Sequence, residues 1–352
     1  MKLLTMMALG AMAIGCDDSA QKGEPSEPDA QLETTPSEVA AETSATETVA
    51  ETSPETSEPE TTADVTEPDT TEARPRLSYK IEPITVQSGK ERQVCKTINV
   101  PSDGSFDIVR FSSRMVGISH HFNLYKVIDD TAFNPVTTDE STVHDCSPAA
   151  EQLRGDAAYI FGSASDRVME TPPGVAFNLK PGQRLILEYH AINYTTETIE
   201  AALEIDLEGP LPGEVIEHHA DIIWFANWGF FLPPGQETSD TTSCAVPYDV
   251  EIFGLMSHFH ELGTNFTIEA IKAGEAAQVY EDDDWAHPKY QSFAPTLSLA
   301  AGDKIRWTCT WNNTRDTLVL PNKGSKDEMC MVFAAAYPKA GLSGDPIQCN
   351  KF

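Results

Sequence analysis

The chain has 352 residues, of which 40% are hydrophobic, so it is long enough to form one large domain or two ordinary domains with real cores. Its formal net charge is -31 at pH 7. Such an acidic balance argues against nucleic acid or an anionic membrane surface as a partner.

The N-terminus has the pattern of a bacterial lipoprotein signal. A cationic start at Met1 and Lys2 is followed by an apolar run up to Ile14, and then by Cys16 after a glycine. In such signals the cysteine is lipidated and becomes the mature N-terminus. We therefore predict a signal peptide over residues 1–16, a lipid anchor on Cys16 as the only membrane contact, and export to the periplasmic or surface face of the cell envelope. The alternative is a plain secretory signal with an incidental cysteine, which also predicts export.

Residues 17–76 are predicted to be a disordered tether. Thr, Glu, Pro, Ser and Ala recur throughout this segment, and no aromatic residue occurs in it. Residues 17–75 hold seventeen acidic residues against Lys22 and Arg74, so nearly half of the net charge lies here. A segment of this composition cannot bury enough apolar surface to offset its chain entropy.

The rest of the chain, from about residue 77, is divided into short β-rich runs by Gly, Pro, Asn and Asp, and long helical periodicity is missing. The clearest runs are Phe106 to Phe111, Gln183 to Ala191, Val250 to Leu255, Phe266 to Ile271 and Asp303 to Trp311. This pattern predicts an all-β fold of two antiparallel β-sandwich domains, jelly-roll-like in form.

A break between the two domains is predicted near residue 211. The segment from Glu208 to Gly213 contains two prolines and two glycines, which interrupt a strand ladder. We therefore predict an N-terminal domain over residues 77–211 and a C-terminal domain over residues 212–352.

Six cysteines remain once Cys16 is assigned to lipidation, and an exported protein keeps its disulfides. An even number fits three bridges. The sequence has no CxxC pair and no Cys/His finger spacing, so a thiolate zinc site is the weaker interpretation. Six cysteines allow fifteen connectivities, and the spacing does not choose among them.

The placement of the nine histidines is informative. His258 and His260 are separated by one residue, so on a strand their side chains would point to the same face and could converge on one metal ion. The turn expected from Glu261 to Gly263 would place them at a sheet edge. The alternative is two polar residues on a solvated strand face.

His120 and His121 are adjacent, so on a regular strand they would point to opposite faces. They can share a metal ion only if the backbone twists or bulges, which Gly117 and Ser119 make possible. His190 ends a run in which Glu188 and His190 share one face, opposite the apolar residues. This polar face suggests a site, and the alternative is a half-buried, hydrogen-bonded histidine.

Taken together, five segments resemble the copper type II, ascorbate-dependent monooxygenases, the family of peptidylglycine α-hydroxylating monooxygenase and dopamine β-monooxygenase. Their joint occurrence in order, over nearly all of residues 78–350, is far more specific than any single motif. The segments run from Ser119 to Tyr125, Pro173 to Phe177, Glu188 to His190, His258 to Gly263 and Asp327 to Cys330.

The resemblance implies two copper ions. An electron-transfer copper in the first domain would be held by His120, His121 and His190. An oxygen-binding copper in the second would be held by His258, His260 and Met329. Six neutral ligands, one of them a soft thioether, suit a metal that cycles between Cu(I) and Cu(II). On its own, Met329 would be interpreted as core packing.

The resemblance also implies the disulfide pairing, namely Cys95 with Cys146, Cys244 with Cys349, and Cys309 with Cys330. The last bridge would brace the Met329 loop beside its neighbouring strand.

The sequence departs from the family at the substrate. The peptide-amidating member holds a substrate carboxylate with an arginine and a tyrosine, and the matching positions here are Met256 and Phe333. Glu188 lies near the expected cleft. Its carboxylate could pair with a cationic amine, which we favour slightly over a peptide acid, or it could orient a copper ligand.

These inferences predict a copper monooxygenase that hydroxylates a C-H bond of a small organic substrate with dioxygen and a one-electron donor such as ascorbate. No Ser/His/Asp or paired-carboxylate signature is present, and this chemistry needs none. The alternative is a non-enzymatic cell-surface copper-binding lipoprotein that keeps the ligands for affinity alone. Two dissimilar sites favour the enzyme, because a store needs no redox-tuned centre. A purely structural sandwich would have to treat six matched ligands as coincidence.

Overall fold

The structure is a computed structural model that describes residues 73–117, 120–128, 142–146, 157–322, 327–338 and 347–348. The predicted signal peptide, Cys16 and nearly all of the tether lie outside these residues. Within the described ranges all regular structure is β-strand, which confirms the predicted all-β class. None of these ranges holds a helix with the length and hydropathy that crossing a membrane requires.

The first sandwich consists of two antiparallel sheets, I and II. Sheet I has the strand order β1 (Arg76–Val86), β11 (Ile199–Glu208), β4 (Arg110–Val116) and β8 (Arg167–Glu170). Sheet II has the order β6 (Val143–Asp145), β2 (Glu91–Asn99), β10 (Arg184–Ile192), β5 (His121–Val127) and β7 (Ala157–Ser163).

The second sandwich consists of sheets III and IV. Sheet III has the order β17 (Tyr290–Leu299), β14 (Val250–His258), β19 (Met331–Tyr337), β12 (His218–Ala226), β9 (Val175–Leu179) and β3 (Phe106–Ile108), and β20 (Ile347–Gln348) also pairs with β12. Sheet IV has the order β13 (Gln236–Ala245), β18 (Lys304–Asn313), β15 (Gly263–Lys272) and β16 (Glu275–Asp282).

Two hydrophobic cores are built from alternating strand positions, and the first core, between sheets I and II, extends to residues of sheet III such as Phe177 and Phe253. On β18, Trp307 and Trp311 are fully buried, whereas Thr308 and Thr310 face outward and pair with hydroxyl side chains of β13. On β10, Leu187 and other alternate residues enter the first core, as the sequence pattern predicted. A large apolar side chain buried in this way contributes ~1.5–3 kcal/mol to stability. Because side chains alternate between the two faces of a strand, burying the apolar residues places the polar residues on the opposite face.

One predicted strand is two strands. The run from Phe106 to Phe111 divides at Val109, so that β3 pairs with β9 in sheet III and β4 pairs with β11 in sheet I. Val109 bonds with Glu208 and Thr171 instead of continuing either ladder. Only Ile108, Val109 and Phe111 of this run are buried, and the polar residues Asp107 and Arg110 do not mark where the chain changes sheet, so the sequence did not reveal the change.

Strand pairing also crosses residue 211, because β9 lies beside β12 in parallel, with Val175 opposite His218. Residues Pro68–Phe352 form one compact unit. The boundary near residue 211 stays a prediction.

Two of the implied disulfides are formed, Cys95–Cys146 within the first sandwich and Cys309–Cys330 within the second. Cys244 is also disulfide-bonded. Its predicted partner Cys349 lies outside the described residues.

Candidate metal centres

Three histidines of the first sandwich meet at one point, which we call cluster 1: His120, His121 and His190. Each histidine contributes one ring nitrogen, and these three nitrogens all lie within 4.8 Å of one another. His121 begins β5 and lies directly opposite His190 on β10. His120 precedes the strand, and its backbone N–H donates to the carbonyl of His190 at 2.9 Å.

The backbone before β5 explains how adjacent histidines reach the same point. Gly117 has φ +80, and a Cβ there would lie 2.2 Å from the carbonyl oxygen of Glu200, so only glycine fits this turn. Because His120 lies outside the strand, the alternation of strand faces does not apply to it. The Nδ1 atoms of His120 and His121 are 2.8 Å apart. The two rings therefore meet because His120 precedes the strand, and no bulge within β5 is needed at this position.

The surroundings keep cluster 1 suited to binding a cation. Burial, assisted by the nearby His190 and His287, lowers the pKa of His120 to about 4, so its ring is neutral near pH 7 and retains a lone pair. Nε2 of His190 lies 3.0 Å from the carboxylate of Glu91. When Nε2–H donates there, Nδ1 is left unprotonated, and the carboxylate fixes the ring orientation.

A second group, cluster 2, consists of His258, His260 and Met329. Nε2 of His258 lies 3.2 Å from Sδ of Met329, and the rings of His258 and His260 are 5.2 Å apart at right angles. Met329 is buried in the loop before β19, next to Cys330 of the disulfide to β18. The strand pair and the loop therefore bring two imidazoles and one thioether together.

The geometry of cluster 2 differs in one respect from the expected strand. β14 ends at His258, and His260 lies in the turn that follows, where its carbonyl accepts the N–H of Gly263 at 2.9 Å. The buried ring of Phe259 covers Gly263 so closely that a Cβ there would lie 1.7 Å from the ring. This packing turns the chain one residue after His258. The rings of His258 and His260 therefore converge across the turn.

Two acidic positions beside Met329 hold His260 in place. Nδ1 of His260 lies 2.7 Å from the backbone carbonyl of Asp327, so Nδ1–H donates and Nε2 is unprotonated. The buried carboxylate of Glu328 accepts the backbone N–H groups of His260 and Leu262 and the indole N–H of Trp311. Burial raises the pKa of Glu328 to about 7, although these three donors oppose the shift.

Both clusters fit copper. Their donors are neutral imidazoles and one soft thioether, with no thiolate or carboxylate at the converging point among the described residues. Such a set accommodates both oxidation states of copper, whereas Mg²⁺ or Ca²⁺ would require oxygen ligands.

Residues 225–346 match the family model described as copper type II ascorbate-dependent monooxygenase, C-terminal domain. Over these residues, the chain is similar to the copper type II ascorbate-dependent monooxygenases. The matched range contains all three residues of cluster 2 and the disulfide beside it. Cluster 1 lies N-terminal to it.

Two curated proteins are similar over about a third of the chain. Dopamine beta-hydroxylase of Canis lupus familiaris is 26% identical over 117 residues, which are 32% of this chain and 19% of that protein. MOXD1 homolog 1 of Drosophila melanogaster is 25% identical over 126 residues, which are 32% of this chain and 18% of that protein. The similarity therefore spans about a fifth of each of these relatives of the monooxygenase family.

Similarity to solved structures is remote. VP54 of PBCV-1, in a structure fitted into a reconstruction of the virophage Sputnik, is 8% identical with a TM-score of 0.26, covering 74% of this chain and 93% of that one.

The predicted substrate residues Met256 and Phe333 lie directly opposite each other on β14 and β19. The Phe333 ring is 5.8 Å from the ring of His258 and 5.1 Å from that of Tyr159 in the first sandwich. Both residues therefore lie beside cluster 2, at a surface that faces β7.

Glu188 lies on β10 two residues before His190, but only 1% of it is exposed. Its carboxylate accepts hydrogen bonds from the side chains of Gln93, Asn123 and Tyr125. Gln93 lies opposite His190 on β2. With three donors in place, the carboxylate is better suited to fixing the strands around cluster 1 than to binding an amine.

Several residues around the clusters were not predicted from the sequence. Trp285, in the loop between β16 and β17, brings its ring to 6.0 Å from that of His120. Glu91 and Trp311 reach the sites because their strands pair with distant strands, and such contacts produce no recognisable motif in the local sequence. Glu328 had a signal, because it precedes Met329 in the segment that carried the resemblance.

Proposed function

We propose that the protein is a copper-dependent monooxygenase that hydroxylates a C-H bond of a small organic substrate, with dioxygen and a one-electron donor such as ascorbate as co-substrates. The observation that carries the proposal is the presence of two clusters of different composition, three histidines in one and two histidines with Met329 in the other. The family match over residues 225–346 supports the same chemistry for cluster 2.

In this proposal cluster 1 and cluster 2 each hold one copper ion. Copper supplies the one-electron chemistry that activates dioxygen and passes electrons from the donor. The chain's own residues orient the ligands: Glu91 fixes the ring of His190, and Asp327 and Glu328 fix the ring and backbone of His260. The thioether of Met329 gives cluster 2 the softer donor set, which favours the reduced ion.

Aromatic side chains line the surface beside cluster 2. Phe333 and Tyr159 touch each other across the two sandwiches, and Tyr159 is 6.0 Å from Tyr125. A small organic molecule can be held here by apolar contact beside cluster 2.

The second candidate function is a cell-surface copper-binding lipoprotein without activity. It rests on the same histidines, and on the predicted lipid anchor at Cys16 with the tether over residues 17–76. We also propose export and anchoring to the cell envelope, on the N-terminal sequence alone.

Dioxygen consumption in the presence of ascorbate tests the function. The copper-loaded full chain would be screened against amines, phenols, small carboxylic acids and small peptides, with product analysis for an added oxygen atom. We expect substrate-dependent consumption that is lost in His258→Ala and retained in His218→Ala, since His218 is exposed and stacks on Tyr337 outside both clusters. Stable binding of two copper ions without turnover on any class would support the copper-binding alternative.

A further inference from the structure

Arg167 differs from most arginines of this acidic chain in having no carboxylate partner. Seven of the nine arginines among the described residues form a salt bridge with Asp or Glu: Arg74, Arg76, Arg92, Arg110, Arg114, Arg306 and Arg315. No described carboxylate lies within salt-bridge distance of the Arg167 guanidinium. With a net charge of -31, a cation without an acidic neighbour is unusual.

The contacts that Arg167 does make leave most of its donors unused. One guanidinium nitrogen lies 3.7 Å from the sulfur of Met256, and the other terminal nitrogen donates to the carbonyl of Pro288 at 3.3 Å. The guanidinium carbon lies 5.3 Å from the ring centre of Tyr290. A guanidinium has five N–H donors, and a thioether is a weak acceptor. The Arg167 side chain is half-buried, and this burial lowers its pKa.

The position of Arg167 connects it to cluster 2. Arg167 begins β8 in sheet I, and its side chain crosses to Met256 on β14 in sheet III. Met256 and His258 are two residues apart on the same strand, so they share a face and their Cα atoms are separated by about 7 Å. Phe333 lies opposite Met256 and also contacts the ring of His258. The guanidinium is therefore one side chain away from the candidate oxygen-binding centre.

The other side chains around the Arg167 guanidinium are mainly aromatic, and its electrostatic neighbours are Tyr159, Tyr280 and Tyr290. Tyr159 and Phe333 have ring centres 5.1 Å apart, and Tyr290 lies beneath the guanidinium. Unpaired charge in such surroundings is costly, and a bound carboxylate would relieve that cost by accepting two parallel N–H bonds. The apolar walls suit the uncharged remainder of a small molecule.

We infer that Arg167 anchors the substrate, which is a small carboxylic acid with an apolar body, and that it holds the reacting carbon beside cluster 2. This inference rests on the proposed function and gives the substrate class. It replaces the cationic amine expected from Glu188, because the Glu188 carboxylate is already buried among three donors. A cation at Arg167 would also repel an amine in the same space. Neither Met256 nor Phe333 can bind a carboxylate, so the anchor comes from the other sandwich.

Binding of matched acids and amides tests the inference. Benzoate, phenylacetate and 3-phenylpropionate would each be compared with its amide by calorimetry on the full chain with its copper content measured. We expect at least one acid to bind about tenfold more tightly than its amide, because hydrogen bonds to a charged partner are worth roughly twice neutral ones. In Arg167→Gln this preference should disappear, while the affinity for the amide stays within about twofold.

Two further variants make the comparison specific. Arg114→Gln removes the same charge from an exposed position on the adjacent strand β4, where it pairs with Glu204, and should keep the preference. Arg167→Lys keeps the charge but not the planar pair of donors, so it should bind the acid several-fold more weakly than the unaltered protein. If Arg167→Gln does not fold, the affinity of Arg167→Lys for the acid tests the inference in its place. No preference for any acid in the unaltered protein, or an unchanged preference in the Arg167 variants, would overturn the inference.

The outcome is separate from that of the proposed function. Binding is measured without turnover, so selective acid binding with no dioxygen consumption would leave the anion site in place and reject the monooxygenase. Turnover of neutral substrates with no preference for acids would support the monooxygenase and reject the anion site at Arg167.

Discussion

Nε2 of His258 and Sδ of Met329 lie 3.2 Å apart, although the two residues are 71 positions apart in the chain. Two features fix this approach. The disulfide from Cys330 to Cys309 ties the Met329 loop to β18, and Glu328 ties the same loop to the turn that contains His260. The loop is therefore held on both sides of the thioether.

Replacing Met329 with Ile separates a ligand from a core residue. Ile keeps a similar apolar volume, so the free energy of unfolding should fall by less than about 1.5 kcal/mol. Substrate-dependent dioxygen consumption should nevertheless be lost, because Ile has no donor atom. Copper at cluster 1 should still be reduced by ascorbate. Met169→Ile is the matched control, since Met169 is buried in the first core, and it should keep full activity. Full turnover by Met329→Ile would reject the ligand assignment.

The buried carboxylate of Glu328 is expected to position His260. In Glu328→Gln one oxygen is replaced by an amide group, so one of the donors from His260, Leu262 and Trp311 loses its acceptor. We expect the affinity of cluster 2 for copper to fall about 10–100-fold, as is typical when an orienting partner of a ligand is changed. A competition titration with a copper chelator measures this. Equal weakening of cluster 1 would indicate a general folding defect instead.

The disulfide beside Met329 should contribute to both stability and the site. Cys309 and Cys330 are separated by 21 positions, and closing a loop of this size stabilises a protein by about 3 kcal/mol. The double change to alanine should lower the free energy of unfolding by this amount and weaken copper at cluster 2. The matched change at Cys95 and Cys146 should lower stability without affecting cluster 2. Peptide mapping without reduction should recover Cys309 joined to Cys330, and free thiols there would contradict the account.

A buried ion pair connects the two sandwiches. Nζ of Lys126 on β5 lies 2.7 Å from the carboxylate of Asp221 on β12, with side chains 11% and 2% exposed. Lys126→Met removes the cation that faces the buried carboxylate of Asp221 and should cost about 3–5 kcal/mol in urea unfolding. Adding Asp221→Leu should restore part of the loss, because the buried negative charge is then gone. An additive loss in the double variant would show that the two residues act independently.

Local patterns in the sequence predicted the parts of the fold that depend on alternation. On β10 the apolar residues face the core, and Glu188 and His190 lie together on the other face, because burial enforces a period of two. The run from Phe106 to Phe111 was misjudged, since its residues belong to two different sheets, and the polar residues Asp107 and Arg110 on either side of Val109 fit a single strand equally well. The end of β14 also escaped prediction, because it depends on the packing of Phe259 against Gly263.

The same contrast holds for the candidate sites. The residues of both clusters were predicted from short motifs, and the structure brings each set together. The partners that orient them come from distant strands: Glu91 reaches His190 across 99 positions, and Glu328 reaches the backbone of His260 across 68. Arg167 carried no motif at all, and its significance lies in a missing partner, which only the three-dimensional arrangement reveals.

The central claim is that the chain holds two independent copper sites, and copper stoichiometry tests it most directly. The full chain, His190→Ala and His258→Ala would be loaded with copper, freed of excess metal and measured for bound ions per chain, with His218→Ala as the control. We predict two ions in the full chain and in His218→Ala, and one ion in each of the other variants, because the ligands of each cluster come from a different sandwich. A single ion in the full chain, or the loss of both ions on changing His190 alone, would contradict the account.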